Sequence, residues 1–90
     1  MDVKVSNYGQ GEVNFVEYSV SDLSDEQLNY LNDNLEEKTM IKDDKLVIVM
    51  SFDDRLYPFG SDVAKLRLND FISREEIEMN IFLSSFLEDM

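Results

Sequence analysis

The longest apolar run in the chain, residues 45–52, predicts a strand in the middle of a β-sheet. Alternate side chains of a strand point to opposite faces, so Leu46 and Ile48 would face one side and Val47 the other. Apolar residues on both faces are typical of a strand that is covered on both sides. We therefore expect this strand to lie mid-sheet, with the other elements packed around it.

Alternation of apolar and polar residues predicts an N-terminal hairpin. Residues 1–6 and 12–20 alternate in this way, and residues 8–11 between them contain two glycines, which favour a turn. The alternation in the second segment changes phase between Phe15 and Val16, so we expect a β-bulge there. The two strands should pair through a short glycine-containing loop.

Two further segments complete the predicted sheet. A second hairpin is predicted from residues 39–42 and the central strand. Between these two segments lie Asp43 and Asp44, and aspartate favours turns. Residues 64–69 alternate in the same way and predict a fifth strand, with a helix as the alternative.

Capping boxes predict the starts of two helices. Ser24 with Gln27, and Ser73 with Glu76, have the spacing at which the two side chains bond each other's backbone N–H groups. The first helix has a narrow apolar stripe, whereas the second is apolar around more than half of its circumference and should be deeply buried or shared with a second molecule. The sequence thus predicts a single α+β domain over residues 1–90. Its mainly antiparallel sheet of about four to five strands, in the order ββαβββα, has two helices packed against it.

The chain lacks two residue types that many catalytic and metal-binding sites require. It contains no His and no Cys, which excludes the usual general base, thiolate zinc sites and His-activated nucleophiles. The adjacent carboxylate pairs at 43–44, 53–54 and 75–76 are explained by turns and helix starts, because neighbouring side chains diverge. We therefore expect a protein that is not an enzyme and has no cofactor and no metal site.

The sequence also favours a soluble, cytoplasmic protein. The first residues lack a basic segment followed by an apolar stretch, the pattern of a secretory signal. No apolar run approaches the roughly 20 residues that cross a bilayer. We expect no membrane association.

Charge is the most unusual property of the chain. With 20 Asp and Glu against 8 Lys and Arg, its net charge is -12, so nucleic acids and anionic membranes repel it and basic proteins attract it. No Lys or Arg occurs between Lys4 and Lys38. That stretch holds eight acidic residues, which are the candidate partner-binding residues: Glu12, Glu17, Asp22, Asp25, Glu26, Asp33, Glu36 and Glu37.

The predicted first helix would space some of these carboxylates regularly. Glu26, Asp33 and Glu37 would advance along its axis by roughly 10 Å and then roughly 6 Å, a spacing similar to a row of phosphates. A solvated helix surface is the alternative, although such surfaces usually mix both signs of charge. A second candidate element is the loop around Pro58, where Tyr57 and Phe59 could fill an apolar pocket in a partner or tuck under the edge of the sheet.

In size, composition and charge the chain is similar to the phage-encoded acidic inhibitors that imitate nucleic acid, such as the uracil-DNA glycosylase inhibitors and the anti-restriction proteins. The resemblance covers charge and length. It implies a non-catalytic, anti-host or anti-defence protein that mimics phosphates and binds a basic nucleic-acid-binding protein or nuclease, without binding nucleic acid itself. One alternative is an immunity protein or antitoxin against a basic toxin. Another is a small assembly subunit that forms a homodimer through its C-terminal helix.

Overall fold

In the part of the chain that the structure describes, a four-stranded antiparallel sheet with two helices on one face forms the α+β fold that the sequence predicts. The structure is a computed structural model that describes residues 1–9, 14–52 and 68–90. Its elements in chain order are β1 (Asp2–Gly9), β2 (Asn14–Ser21), α1 (Asp25–Asn34), β3 (Lys38–Lys42), β4 (Lys45–Phe52) and α2 (Leu68–Leu87).

The strand order is β1-β2-β4-β3, so β4 lies mid-sheet between β2 and β3, as its apolar sequence predicts. Alternate residues of β2 and β4 form the core together with residues of both helices. The most buried members of this cluster are Val16, Tyr18, Val20, Leu31, Leu46, Ile48 and Leu83. Both helices therefore cover the same face of the sheet. The other face contains the half-buried Val47 and Val49, and no described element covers it; we call it the open face.

The β-bulge lies in β1 and not in β2. Pairing between β2 and β4 runs without interruption from Asn14 to Val20, whereas the β1–β2 register shifts between Val5 and Asn7. The predicted bulge between Phe15 and Val16 was therefore wrong. The Phe15 ring on the open face lies over Gly9, where an added Cβ would clash with it.

The start of α1 agrees with its capping box. The Ser24 hydroxyl accepts the Gln27 N–H (3.1 Å), and the Gln27 side chain accepts the Ser24 N–H (3.0 Å). Leu28 and Leu31 on the buried side of the helix then join the core. These contacts fix the first turn of α1 and its rotation over the sheet.

The start of α2 differs from the prediction. The helix begins at Leu68, so Ser73 lies inside it and does not cap its first turn. Of the fifth strand predicted over residues 64–69, Leu68 and Asn69 are helical, as in the alternative, and residues 64–67 lie outside the described part of the chain. The Glu76 carboxylate does not reach back to Ser73 but accepts the backbone N–H of Val5 (2.8 Å), next to the bulge.

The β3–β4 hairpin closes in two residues, as predicted. Asp43 and Asp44 have φ angles of 54° and 60°, the pair of positive values that a type I′ turn requires. The flanking Lys42 and Lys45 pair directly across the hairpin. Residues other than Gly, Asn and Asp rarely adopt such angles, which explains the aspartates at these two positions.

Candidate functional site

Six of the eight predicted carboxylates lie on one connection of the fold, from the end of β2 through α1 to the start of β3. We call residues 22–37 the acidic segment; its carboxylates are those of Asp22, Asp25, Glu26, Asp33, Glu36 and Glu37. The segment contains no Lys or Arg. Because α1 lies on the covered side of the sheet, the exposed side of this helix points away from the open face.

The helix itself presents three of these carboxylates to solvent. Asp25, Glu26 and Asp33 are exposed, while Leu28 and Leu31 between them face the core. Asp33 follows Glu26 by seven positions, which corresponds to about 10 Å along the axis. Asp25 and Glu26 stand in the first turn, where the helix dipole favours negative charge.

Glu37 does not belong to this helix, so the predicted spacing of 6 Å between it and Asp33 was wrong. α1 ends at Asn34, and Leu35 takes an extended conformation (φ -72°, ψ 139°) while its N–H still bonds to the Leu31 carbonyl. Thr39 in β3 then donates to the Asn32 side-chain oxygen (3.0 Å), which ties the start of β3 to α1. The short link to β3 leaves no room for another helical turn.

Negative charge gathers at the C-terminal end of α1, where it is least favourable. Asp33 lies in the last turn, which contains no basic residue, and Glu36 and Glu37 follow directly. The carbonyl groups of this turn carry the negative end of the helix dipole, so each carboxylate there costs stability. The Asn34 amide donates to the Tyr30 carbonyl (2.8 Å) and satisfies one of these groups without adding a positive charge.

Lys and Arg do not neutralise the acidic segment within the described residues. The only salt bridge among them joins the α-amino group of Met1 to Asp22 at 3.6 Å. Asp22 is 87% exposed and has a positive φ of 61°. No other carboxylate of the segment has a cationic group of the described residues within salt-bridge distance.

Glu17 lies apart from the acidic segment. It pairs with Val49 of β4 and Asn7 of β1 on the open face, and its carboxylate accepts the Ser6 hydroxyl (2.8 Å) at the bulge. The sheet thus separates Glu17 from α1. Of the other predicted partner-binding residues, Glu12, Tyr57 and Phe59 lie outside the described residues.

All four described lysines are on the open face. Strand pairing places Lys4 opposite Ser19 of β2, Lys38 opposite Val49 of β4, and Lys42 opposite Lys45. In each strand these positions alternate with side chains that face the helices. Among the described residues, the carboxylates around α1 therefore lie on one side of the sheet, and the lysines lie on the other side together with Asp2 and Glu17.

Sequence reasoning missed a buried carboxylate in α2. Glu75 is 5% exposed, and its Oε2 accepts the hydroxyl of Tyr18 from β2 (2.8 Å). The sequence pair at 75–76 had been explained by a helix start, which would leave both side chains in solvent. The spacing of four residues from Phe71 through Glu75 and Met79 to Leu83 was the signal that Glu75 lies on the buried side.

The described residues offer little for other kinds of site. No group of three acidic side chains among residues 1–9, 14–52 and 68–90 is placed to hold a metal ion. Neither described helix is long and apolar enough to span a bilayer.

Comparison with known proteins gives one family. No curated protein matches the sequence. The sequence profile described as "Family of unknown function (DUF5750)" matches residues 2–89, nearly the whole chain. The chain therefore belongs to the family of unknown function DUF5750.

Proposed function

We propose that the protein is a non-catalytic inhibitor whose acidic segment occupies the phosphate-binding groove of a basic nucleic-acid-binding protein or nuclease. The observation that carries the proposal is the concentration of negative charge in residues 22–37. Six carboxylates lie there without a Lys or Arg, and among the described residues only the Met1 α-amino group pairs with one of them. Surfaces that serve only solubility usually mix both signs of charge.

Carboxylates suit such a groove chemically. The Lys and Arg side chains that contact phosphates also form charge-assisted hydrogen bonds to carboxylates, and Arg binds both groups through two parallel bonds. Asp25, Glu26 and Asp33 project from a rigid helix, so they lose less conformational freedom on binding than carboxylates on a loop would. The proposal requires no reaction and no direct contact with nucleic acid.

The end of α1 supports binding over solubility as the reason for the charge. Asp33, Glu36 and Glu37 stand at the negative end of the helix dipole, where each carboxylate costs roughly 0.3–1 kcal/mol at low ionic strength. A solubilising charge could be placed elsewhere on the surface without this cost. A basic partner would remove the cost, because its cations would neutralise the dipole and the carboxylates together.

The lysines on the open face give the molecule an orientation. On the open face Lys4, Lys38, Lys42 and Lys45 offset the charge of Asp2 and Glu17, so a basic partner is attracted more strongly to the side with α1. Such a field raises the association rate and presents the acidic segment first. Since screening shortens the range of this attraction, the affinity should fall as salt is raised.

The test uses the protein immobilised on resin and an extract of the organism that encodes it. Proteins bound at about 50 mM NaCl are challenged with excess duplex DNA of about 20 base pairs, or with about 500 mM NaCl, and identified by mass spectrometry. We expect a basic nucleic-acid-binding protein that both treatments release. A partner that stays bound under saturating duplex would contradict phosphate mimicry and indicate an immunity protein or antitoxin that binds away from the groove.

Matched charge reversals then locate the site. Asp33→Lys with Glu37→Lys changes the acidic segment, and Glu78→Lys with Asp89→Lys changes exposed residues at and after α2. Each reversal adds two charges, so both double variants have a net charge of -12 + 4 = -8. We expect the first variant to lose at least about tenfold in affinity for the captured partner, about 1.4 kcal/mol. Equal losses in the two variants would show that the charge acts without a localised site.

A further inference from the structure

The solvent side of α2 has an apolar centre. Ile77 and Ile81 are 61% and 64% exposed, the two highest values for large apolar side chains in the described part of the chain. They lie one turn apart on the side of the helix opposite to Met79 and Leu83, which are buried against the sheet. Adjacent exposed isoleucines in the middle of a helix are typical of a helix that pairs with another molecule.

The spacing around these isoleucines is that of a helix–helix seam. Arg74, Ile77, Ile81, Ser84 and Glu88 are all exposed and follow one another at intervals of three, four, three and four residues. Alternating intervals of three and four residues keep side chains on one side of a helix, as at the contact positions of a coiled coil. Glu88 continues this line past the end of α2, because its N–H still bonds to the Ser84 carbonyl (3.3 Å).

The seam has opposite charges at its two ends. Arg74 is the only basic residue in the described part of the chain that is not on the open face, and Glu88 closes the other end. The exposed Asp70 lies one turn before Arg74 on the same line of the helix. Two parallel copies of the seam would bring like charges together. Two antiparallel copies would bring the guanidinium of each near the carboxylate of the other.

We propose that α2 is a dimerisation surface, on which a second copy of the chain packs its own α2 antiparallel. Ile77 of each copy packs against Ile81 of the other, and Arg74 lies opposite Ser84. The small serine leaves space for the guanidinium to extend one turn, about 6 Å, to Glu88 of the other copy. The same five residues thus supply both halves of the contact, as in an isologous interface. This self-complementarity selects a second copy as the occupant.

Net charge gives this dimer a salt dependence opposite to that of the proposed inhibitor complex. Two copies with a charge of -12 repel each other, and salt screens that repulsion. The dimer should therefore tighten as NaCl is raised, whereas binding of a basic protein should weaken. The two proposals can fail independently.

Oligomeric state is the test, measured by sedimentation equilibrium at protein concentrations from about 5 to about 200 µM. We expect the wild-type mass to approach that of a dimer, and Ile77→Glu with Ile81→Glu to remain monomeric. The control, Met40→Glu with Ile41→Glu, adds the same charge at two other exposed apolar residues, 53% and 42% exposed on β3, and should dimerise like the wild type. Circular dichroism verifies that each variant is folded.

A charge exchange tests the register. Arg74→Glu should weaken the dimer at least about tenfold, and Arg74→Glu with Glu88→Arg should restore it to within about threefold. A wild-type protein that is monomeric throughout the range would overturn the proposal. So would a dimer that the isoleucine substitutions leave intact, or one that the charge exchange does not restore.

Discussion

The hydrogen bond between Tyr18 and Glu75 should contribute strongly to stability. Tyr18 in β2 is 1% exposed, Glu75 in α2 is 5% exposed, and the Tyr18 hydroxyl donates to Glu75 Oε2 over 2.8 Å. The other carboxylate oxygen, Oε1, is buried without a hydrogen-bond partner among the described residues. Since a buried carboxyl group loses its hydration, the phenol is the group that compensates for this loss.

Removing the hydroxyl tests this arrangement. Tyr18→Phe keeps the ring in the core but leaves Glu75 without its hydrogen-bond partner, and leaving a buried polar group unsatisfied costs roughly 1–3 kcal/mol. We expect the free energy of unfolding to fall by about 2 kcal/mol. For a domain of this size the Tm should fall by roughly 8–16 °C.

A double-mutant cycle separates the bond from other effects of the substitution. Glu75→Leu removes the buried carboxyl group, and replacing both partners of a buried hydrogen bond by apolar groups is often nearly neutral. We therefore expect the double variant Tyr18→Phe with Glu75→Leu to be more stable than Tyr18→Phe alone by about 2 kcal/mol. Urea unfolding followed by circular dichroism gives the four free energies.

One result would refute the reasoning. If Tyr18→Phe costs as much in the Glu75→Leu background as in the wild type, the two side chains are not coupled. The 2.8 Å contact would then contribute nothing to stability, and packing of the ring alone would explain the burial of Tyr18.

Two further predictions concern local structure. Ser24→Ala removes the N-cap of α1 and should lower the free energy of unfolding by about 1 kcal/mol, whereas Ser73→Ala changes an exposed position inside α2 and should be neutral or slightly stabilising. Chemical denaturation measures both variants, and a greater loss of stability in Ser73→Ala than in Ser24→Ala would contradict the assigned helix starts. The Asp44→Gly variant should be more stable than the Asp44→Ala variant by about 1 kcal/mol, because both substitutions remove the same charge but only glycine adopts a φ of 60° without strain. Equal melting temperatures of the two variants would show that this turn is not strained.

Local signals in the sequence were sufficient to predict the elements whose structure depends on nearby residues. The capping box at Ser24 and Gln27 joins groups three residues apart, and the β3–β4 turn joins Lys42 to Lys45. Such contacts form within a short window, so the residue types alone specify them. The apolar pattern of β4 likewise predicted a strand inside the sheet.

Features that depend on contacts between residues distant in sequence could not be predicted from local patterns. Ser73 and Glu76 have the spacing of a capping box, but α2 starts five residues earlier than Ser73 and Glu76 bonds to Val5 instead. Phe15 appeared to shift the phase of β2, because its packing over Gly9 depends on how β1 pairs with β2.

The candidate site was predictable in composition but only partly in geometry. The sequence alone shows that no Lys or Arg separates the acidic residues between Lys4 and Lys38. It does not show that Glu17 and α1 lie on opposite sides of the sheet, since that depends on the side of the sheet that the helices cover. The end of α1 before Glu37 depends on pairing of β3 with β4.

The two carboxylates of α2 have a consequence for the order of folding. Glu76 contacts Val5 across 71 positions and Glu75 contacts Tyr18 across 57, so each contact closes a loop that spans most of the chain. During synthesis the first hairpin must wait for these late residues before its apolar side is covered. Closure of such long loops is slow, and a nascent chain paused before α2 would be a ready substrate for chaperones.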